Sequence, residues 1–116
     1  MARKKNKLNL NEKLSYYIDS LTKVIKVDKI ILFGSYANGN PNEYSDIDIA
    51  LVSSELNSKE PWLKHIREIK DKADLYDPYL ELFTFPTKVF EKELGFDKYF
   101  IREIKKTGKV IYQRPD

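Results

Sequence analysis

The sequence predicts an α/β fold: a small mixed β-sheet with helices packed on it. Three observations carry that expectation. Two short apolar runs, Ile30–Phe33 and Ile47–Val52, flank a polar, turn-rich connection holding Gly39, Pro41 and three asparagines. Apolar side chains recur at helical spacing before this pair of runs and again after it. A later aromatic-rich segment, Tyr79–Phe85, alternates as a strand does. At 116 residues one domain is expected. A chain of that length buries roughly two-thirds of its unfolded surface, enough for a real core.

The elements follow in order. Asn9 or Asn11 supplies the N-cap of a first helix. Its stripe is Leu14, Ile18, Leu21 and Ile25, with Tyr17 and Val24 beside it. Asp28 and Lys29 break that pattern, and Ile30–Phe33 is apolar throughout, as a central strand is. Tyr36–Gly39 reads as a short helix and residues 40–45 as a loop, where Tyr44 suits base stacking or packing equally. The second strand, Asp46–Val52, ends at Ser53-Ser54. Ser58–Glu60 lead into a helix with Pro61 in its first turn. Trp62, Ile66, Ile69, Ala73 and Tyr76 form its stripe, and His65, off that stripe, is expected at the surface. Lys64, Arg67, Lys70 and Lys72 make the other face basic, which reads as a solvated face before a docking face for an acidic partner.

Asp77-Pro78 punctuate the chain ahead of the third strand. Pro86-Thr87 start a helical turn through Leu94, closed by Gly95. Phe96–Lys106 is a last helix with Phe100, Ile101 and Ile104 inward, ending at Gly108. Lys109–Tyr112 is a final strand and Gln113–Asp116 a tail. The strands are thus expected at 29–33, 46–52, 79–85 and 109–112.

Composition excludes several classes of function. Cysteine is absent, so there is no disulfide framework and no thiolate metal site, and the lone His65 argues against zinc. No apolar run approaches the roughly 18 residues that span a bilayer, so no membrane partner is expected. The basic Arg3-Lys4-Lys5-Asn6-Lys7 is followed by a charged helix, not by the apolar segment of a signal peptide. A soluble cytoplasmic protein is expected. The net charge of +3 is mild. Residues 1–7 read as a basic, flexible, solubilising N-terminus, and nucleic acid is not the expected partner.

The chemistry concentrates between Ile30 and Val52. Side chains on a strand alternate faces, so Asp46 and Asp48 share a face with Ala50 and Val52. Two such carboxylates stand about 6.5–7 Å apart along the strand. They can converge on one divalent cation or bridge two. A hard cation such as Mg²⁺ takes a few carboxylates together with substrate phosphate oxygens and water. Gly34 lets the backbone approach a phosphate closely. Ser35 adds a hydroxyl donor, and the N–H groups after it open a helix whose N-terminus favours anions. Glu81, on the face of Tyr79 and Phe83, is costly to bury unless paired or metal-bound; the alternative is a solvent-facing position on an edge strand. Asp74 and Asp77, before Pro78, are weaker candidates.

Gly34-Ser35-Tyr36-Ala37-Asn38-Gly39 followed by Ser45-Asp46-Ile47-Asp48-Ile49 resembles the signature of the DNA polymerase β-like nucleotidyltransferase superfamily. The small size makes the chain most similar to its minimal nucleotidyltransferases. Many members carry Arg where this chain has Asn38. The resemblance implies a polymerase β palm-like fold over a single domain, 8–116. It implies that Asp46 and Asp48 hold Mg²⁺ (or Mn²⁺), and that Gly34, Ser35, Tyr36 and Ser45 bind the nucleotide, ATP. Glu81 falls where the family places its third acidic residue, as metal ligand or base. The reaction implied is transfer of AMP from ATP to a hydroxyl, with release of pyrophosphate. Minimal members often pair with a separately encoded HEPN-type helical toxin, which they neutralise by AMP transfer to a tyrosine. A hetero-oligomer and an antitoxin role are therefore expected. Two alternatives stay open: an antitoxin that masks its partner without transfer, and a transferase acting on RNA or a small molecule.

Overall fold

The computed structural model describes residues 9–41 and 45–115. The basic N-terminus at residues 1–7, Tyr44 and Asp116 lie outside the described residues. In chain order the elements are α1 (Leu10–Thr22), β1 (Lys29–Phe33), α2 (Ser35–Asn38), β2 (Ile47–Ser53), α3 (Trp62–Ala73), β3 (Leu80–Pro86), α4 (Thr87–Lys92), α5 (Lys98–Thr107) and β4 (Lys109–Gln113).

Helix α1 opens on a capping box. Asn9 Oδ1 accepts from the Glu12 amide at 2.9 Å, and Glu12 Oε1 accepts from the Asn9 amide at 3.1 Å. Two orphan first-turn donors are thereby satisfied reciprocally. The sheet order is β3-β2-β1-β4. β1 runs antiparallel to both β2 and β4, whereas β2 and β3 are parallel. A parallel pair needs a crossover connection, and α3 supplies it.

Strand alternation divides the core in two. Ile30, Leu32, Ile49, Leu51 and Leu82 pack with Leu14, Tyr17 and Leu21 of α1 and Ile69 of α3. On the other face Ile31, Phe33, Ala50, Val52 and Phe85 pack with Phe90 of α4 and Ile101 and Ile104 of α5. Phe33, Phe83 and Phe100 form a ring cluster there, with centroids 5.4–5.7 Å apart and tilted or edge-on contacts.

Several expectations need correction. His65 is buried, not at the surface (5% exposed), while Trp62 (48%) and Tyr76 (64%) of the expected stripe are exposed. The inward face of α3 carries His65, Ile69 and Ala73 at four-residue spacing, rotated by one side chain from the face hydropathy favours. Tyr76 lies beyond the helix, which ends where Asp74 turns left-handed at φ 54°. Ile25 likewise lies beyond α1. The expected C-terminal tail is tied down: Gln113 belongs to β4, and Arg114 pairs with Asp28 through Nε at 2.9 Å and Nη2 at 2.8 Å.

Candidate active site

The site stands where β1 and β2 meet the start of β3. Phe33, the last residue of β1, is in register with Asp48, and Asp48 is in register with Glu81. These three residues form one row across three strands, on the face covered further along by α4 and α5. Neighbouring strands lie about 4.8 Å apart, so Asp48 and Glu81 are lateral neighbours. Asp46 precedes β2 by one residue and stands on the Asp48 side of it by alternation. The β2–β3 register is held at this level by Ile47 N–H donating to Tyr79 C=O at 2.7 Å.

Gly34 turns the chain from β1 into α2 with φ 76° and ψ −155°, a region open essentially to glycine. A Cβ at this position would overlap the Asp48 carboxylate. The backbone turn and the carboxylate are thus in direct contact, and only the absence of a side chain permits it. Gly39, at φ 81° and ψ 14°, closes α2 with its N–H bonded to Ser35 C=O. Ser35 sits in the first turn of α2. Tyr36 follows it, with its half-buried ring packed against the α1-side core. Ser45 is half-buried beside Asp46.

The electrostatics are those of crowded carboxylates. Asp48 has its pKa pushed up to about 6, first by burial, then by the charges of Glu81 and Asp46. Glu81 is exposed on the edge strand. Among the described residues no three acidic or imidazole side chains are already drawn together as a metal site. The donors present instead suit a cation that takes part of its coordination from a substrate phosphate and water, the usual arrangement for Mg²⁺. A divalent cation there would relieve the repulsion that raises Asp48.

The weaker acidic candidates fall elsewhere. Asp74 is the left-handed C-cap of α3. Asp77 is a structural staple: it accepts from Tyr17 Oη at 2.5 Å, Lys13 Nζ at 3.2 Å and the Tyr79 amide at 2.9 Å. Burial opposes its charge, but these donors outweigh that and hold its pKa below the usual range. The sequence reading missed Lys13. It is only 6% exposed, and its ammonium stands 3.9 Å from the Tyr79 ring centroid. One signal was available: Lys13 precedes Tyr17 by one turn, on the stripe side of α1.

The family described as Polymerase beta, Nucleotidyltransferase matches residues 12–116. The chain belongs to the polymerase β nucleotidyltransferase family. Its α/β architecture and its enzyme class, nucleotidyltransferase, follow from that membership. A Methanocaldococcus jannaschii protein named as a candidate protein adenylyltransferase is 32% identical over 83 residues, covering 72% of this chain and 77% of the relative. Among solved structures, a candidate nucleotidyltransferase from Sulfolobus solfataricus superimposes with a TM-score of 0.64 at 14% identity, over 88% of this chain and 79% of that one. A toxin–antitoxin complex with AMP-PNP superimposes with a TM-score of 0.55 at 21% identity, over 92% and 75%. At these identities the two structures speak for the fold of this nucleotidyltransferase.

Proposed function

We propose that this nucleotidyltransferase transfers AMP from ATP to a protein hydroxyl, and that it acts as the antitoxin of a toxin–antitoxin pair. The observation that carries the chemistry is the meeting of Gly34, Asp48 and Glu81: a glycine backbone pressed on a carboxylate, with a second carboxylate in register beside it. The naming of the Methanocaldococcus relative favours protein as the acceptor. The toxin–antitoxin neighbour with AMP-PNP favours an adenine nucleotide and a toxin partner. The resemblance to minimal nucleotidyltransferases adds a HEPN-type helical protein as that partner, a tyrosine as the hydroxyl, and a cytoplasmic setting.

In this reading Asp46 and Asp48 hold Mg²⁺ or Mn²⁺. The cation, when bound, supplies positive charge against the triphosphate. Gly34 and Ser35 bring the α2 turn up to the phosphate oxygens, with Tyr36 and Ser45 flanking it. Glu81, exposed beside Asp48, receives the proton of the acceptor hydroxyl. The acceptor oxygen bonds to the α-phosphorus as the bond from that phosphorus to the bridging oxygen breaks, and pyrophosphate leaves. Positioning and fixed charge supply most of the rate in such transfers.

The test uses ATP labelled on the α-phosphate, incubated with the purified chain, Mg²⁺ or Mn²⁺ and a host extract, beside the Asp46→Asn, Asp48→Asn double variant. The expected result is label on one protein band with the unaltered chain alone. Label on RNA would move the acceptor to nucleic acid. No label despite ATP binding would sink the transfer reading and leave a masking antitoxin.

A further inference from the structure

A groove runs along the β3 edge, away from Glu81. Its near part is a hollow of about 80 Å³ bounded by Phe83, Phe100, Trp62 and Asp97. It adjoins a cleft of about 380 Å³ between the start of α3 and the α4–α5 connection, and the two share Trp62, Thr84, Phe85 and Asp97.

Four observations give the groove a chemistry. Its walls are aromatic, with Trp62 48% exposed and Phe96 exposed entirely (101%), a patch of the kind that marks an interaction site. It is lined by two buried polar side chains, Thr84 (4% exposed) and His65 (5% exposed). Thr84 Oγ1 and both His65 ring nitrogens have no hydrogen-bond partner among the described residues. His65 Nε2 stands 3.4 Å from Glu60 Oε1 without hydrogen-bond geometry. Asp97 occupies the N-cap position of α5 yet its side chain does not cap it, and the residue lines both parts of the groove. Finally, Glu60 joins Asp97 in the lining while, among the described residues, no lysine or arginine does, although the chain carries a net charge of +3.

The group that fits must bring hydrogen-bond donors, positive charge and a flat face. A guanidinium has five N–H donors, no acceptor, and a plane that stacks on aromatic rings. The Thr84 hydroxyl accepts its donors. Asp97 complements its charge more freely than Glu60, which already bonds Lys64 at 3.1 Å. Trp62 offers the stacking face. A nucleotide phosphate meets two carboxylates here and is repelled.

We propose that the groove docks an arginine-bearing segment of the acceptor protein, the arginine in the cleft and the segment extended along β3 towards Glu81. This rests on the reading of the chain as a protein adenylyltransferase. Thr84 and Glu81 are three strand positions apart, about 10 Å. The modified hydroxyl therefore lies three or four residues from the arginine.

Trp62 is the sole tryptophan of the chain, so its emission reports the cleft directly. The probe is an acetylated, amidated Ala/Thr peptide carrying one arginine, beside a twin with citrulline, which keeps the shape and loses the charge. The arginine peptide is expected to change Trp62 emission saturably, and the citrulline twin to bind roughly tenfold more weakly, as loss of a desolvated charge contact would dictate. Asp97→Asn and Thr84→Val should each weaken the arginine peptide several-fold, with circular dichroism confirming an unchanged fold. The titration contains neither nucleotide nor cation, so its failure is distinct from failure of AMP transfer. No emission change at millimolar peptide, or an equal response to the citrulline twin, overturns the proposal. An emission change on diluting the protein alone, which would place a second copy in the groove, overturns it too. So does a response to oligouridylate in place of the peptide.

Discussion

Asp48 is held where its charge is least welcome. Burial and the neighbouring Glu81 and Asp46 push its pKa up to about 6. The folded protein thus binds that proton more tightly than the unfolded chain, and stability falls as pH rises from about 4 through 6. Asp48→Asn removes the penalty. At pH 7 it should stabilise the fold by on the order of 1 kcal/mol after discounting for partial solvent access, and so raise the melting temperature, while abolishing AMP transfer. Thermal denaturation and the labelling assay check the two halves separately, and a lowered melting temperature would contradict the account. Gly34→Ala acts in the opposite sense. The new methyl meets the Asp48 carboxylate at a backbone conformation alanine resists, so it should cost about 1–3 kcal/mol as well as activity.

At the scale of elements, what matters is how strand ends and helix starts are pinned. Asp28, just before β1, binds three segments distant in sequence. It accepts from Thr87 at the start of α4, from Arg114 after β4 and from the Ser54 amide after β2. Burial alone would raise its pKa, but these donors outweigh it and hold the carboxyl below its ordinary range. A depressed carboxyl contributes stability that is present above the unfolded value and lost as pH falls through the folded one. Asp28→Asn should therefore destabilise the fold at pH 7 by about 1–2 kcal/mol for the charge-assisted bonds, lowering the melting temperature. The difference should shrink as pH falls through the range where the depressed carboxyl protonates. Asn9→Ala, which opens the capping box of α1, should cost about 1 kcal/mol at any pH in that range, read by urea denaturation.

These cases show what the sequence could and could not disclose. The turn at Gly34 and the spacing of Asp46 and Asp48 were legible because each is local: a glycine after an apolar run, and strand alternation over three residues. The strand positions were legible to within a residue for the same reason. The placement of Glu81 beside Asp48 came from family resemblance alone, since it depends on a parallel register between strands joined by α3. The rotation of α3 was misread because hydropathy favoured Trp62 over His65, and tertiary packing chose His65. Asp28 read as a pattern breaker, since its partners at Thr87 and Arg114 are brought to it by the fold.

For the molecule as a whole, the row Phe33–Asp48–Glu81 has a consequence for the order in which the protein is made. Gly34, Ser35, Asp46 and Asp48 belong to the β1–β2 hairpin, closed by neighbours in the chain, and two strands alone are marginal in water. Glu81 joins only after α3 has carried the chain across, a non-local contact that forms slowly. A nascent polypeptide emerges at about 5–20 residues per second, so the part of the proposed site that carries Gly34, Asp46 and Asp48 is made seconds before Glu81. Catalytic competence is then a certificate of finished folding. In refolding from urea, transfer activity should return with the slowest phase seen by circular dichroism, and activity appearing earlier would mean that Glu81 is not needed for it.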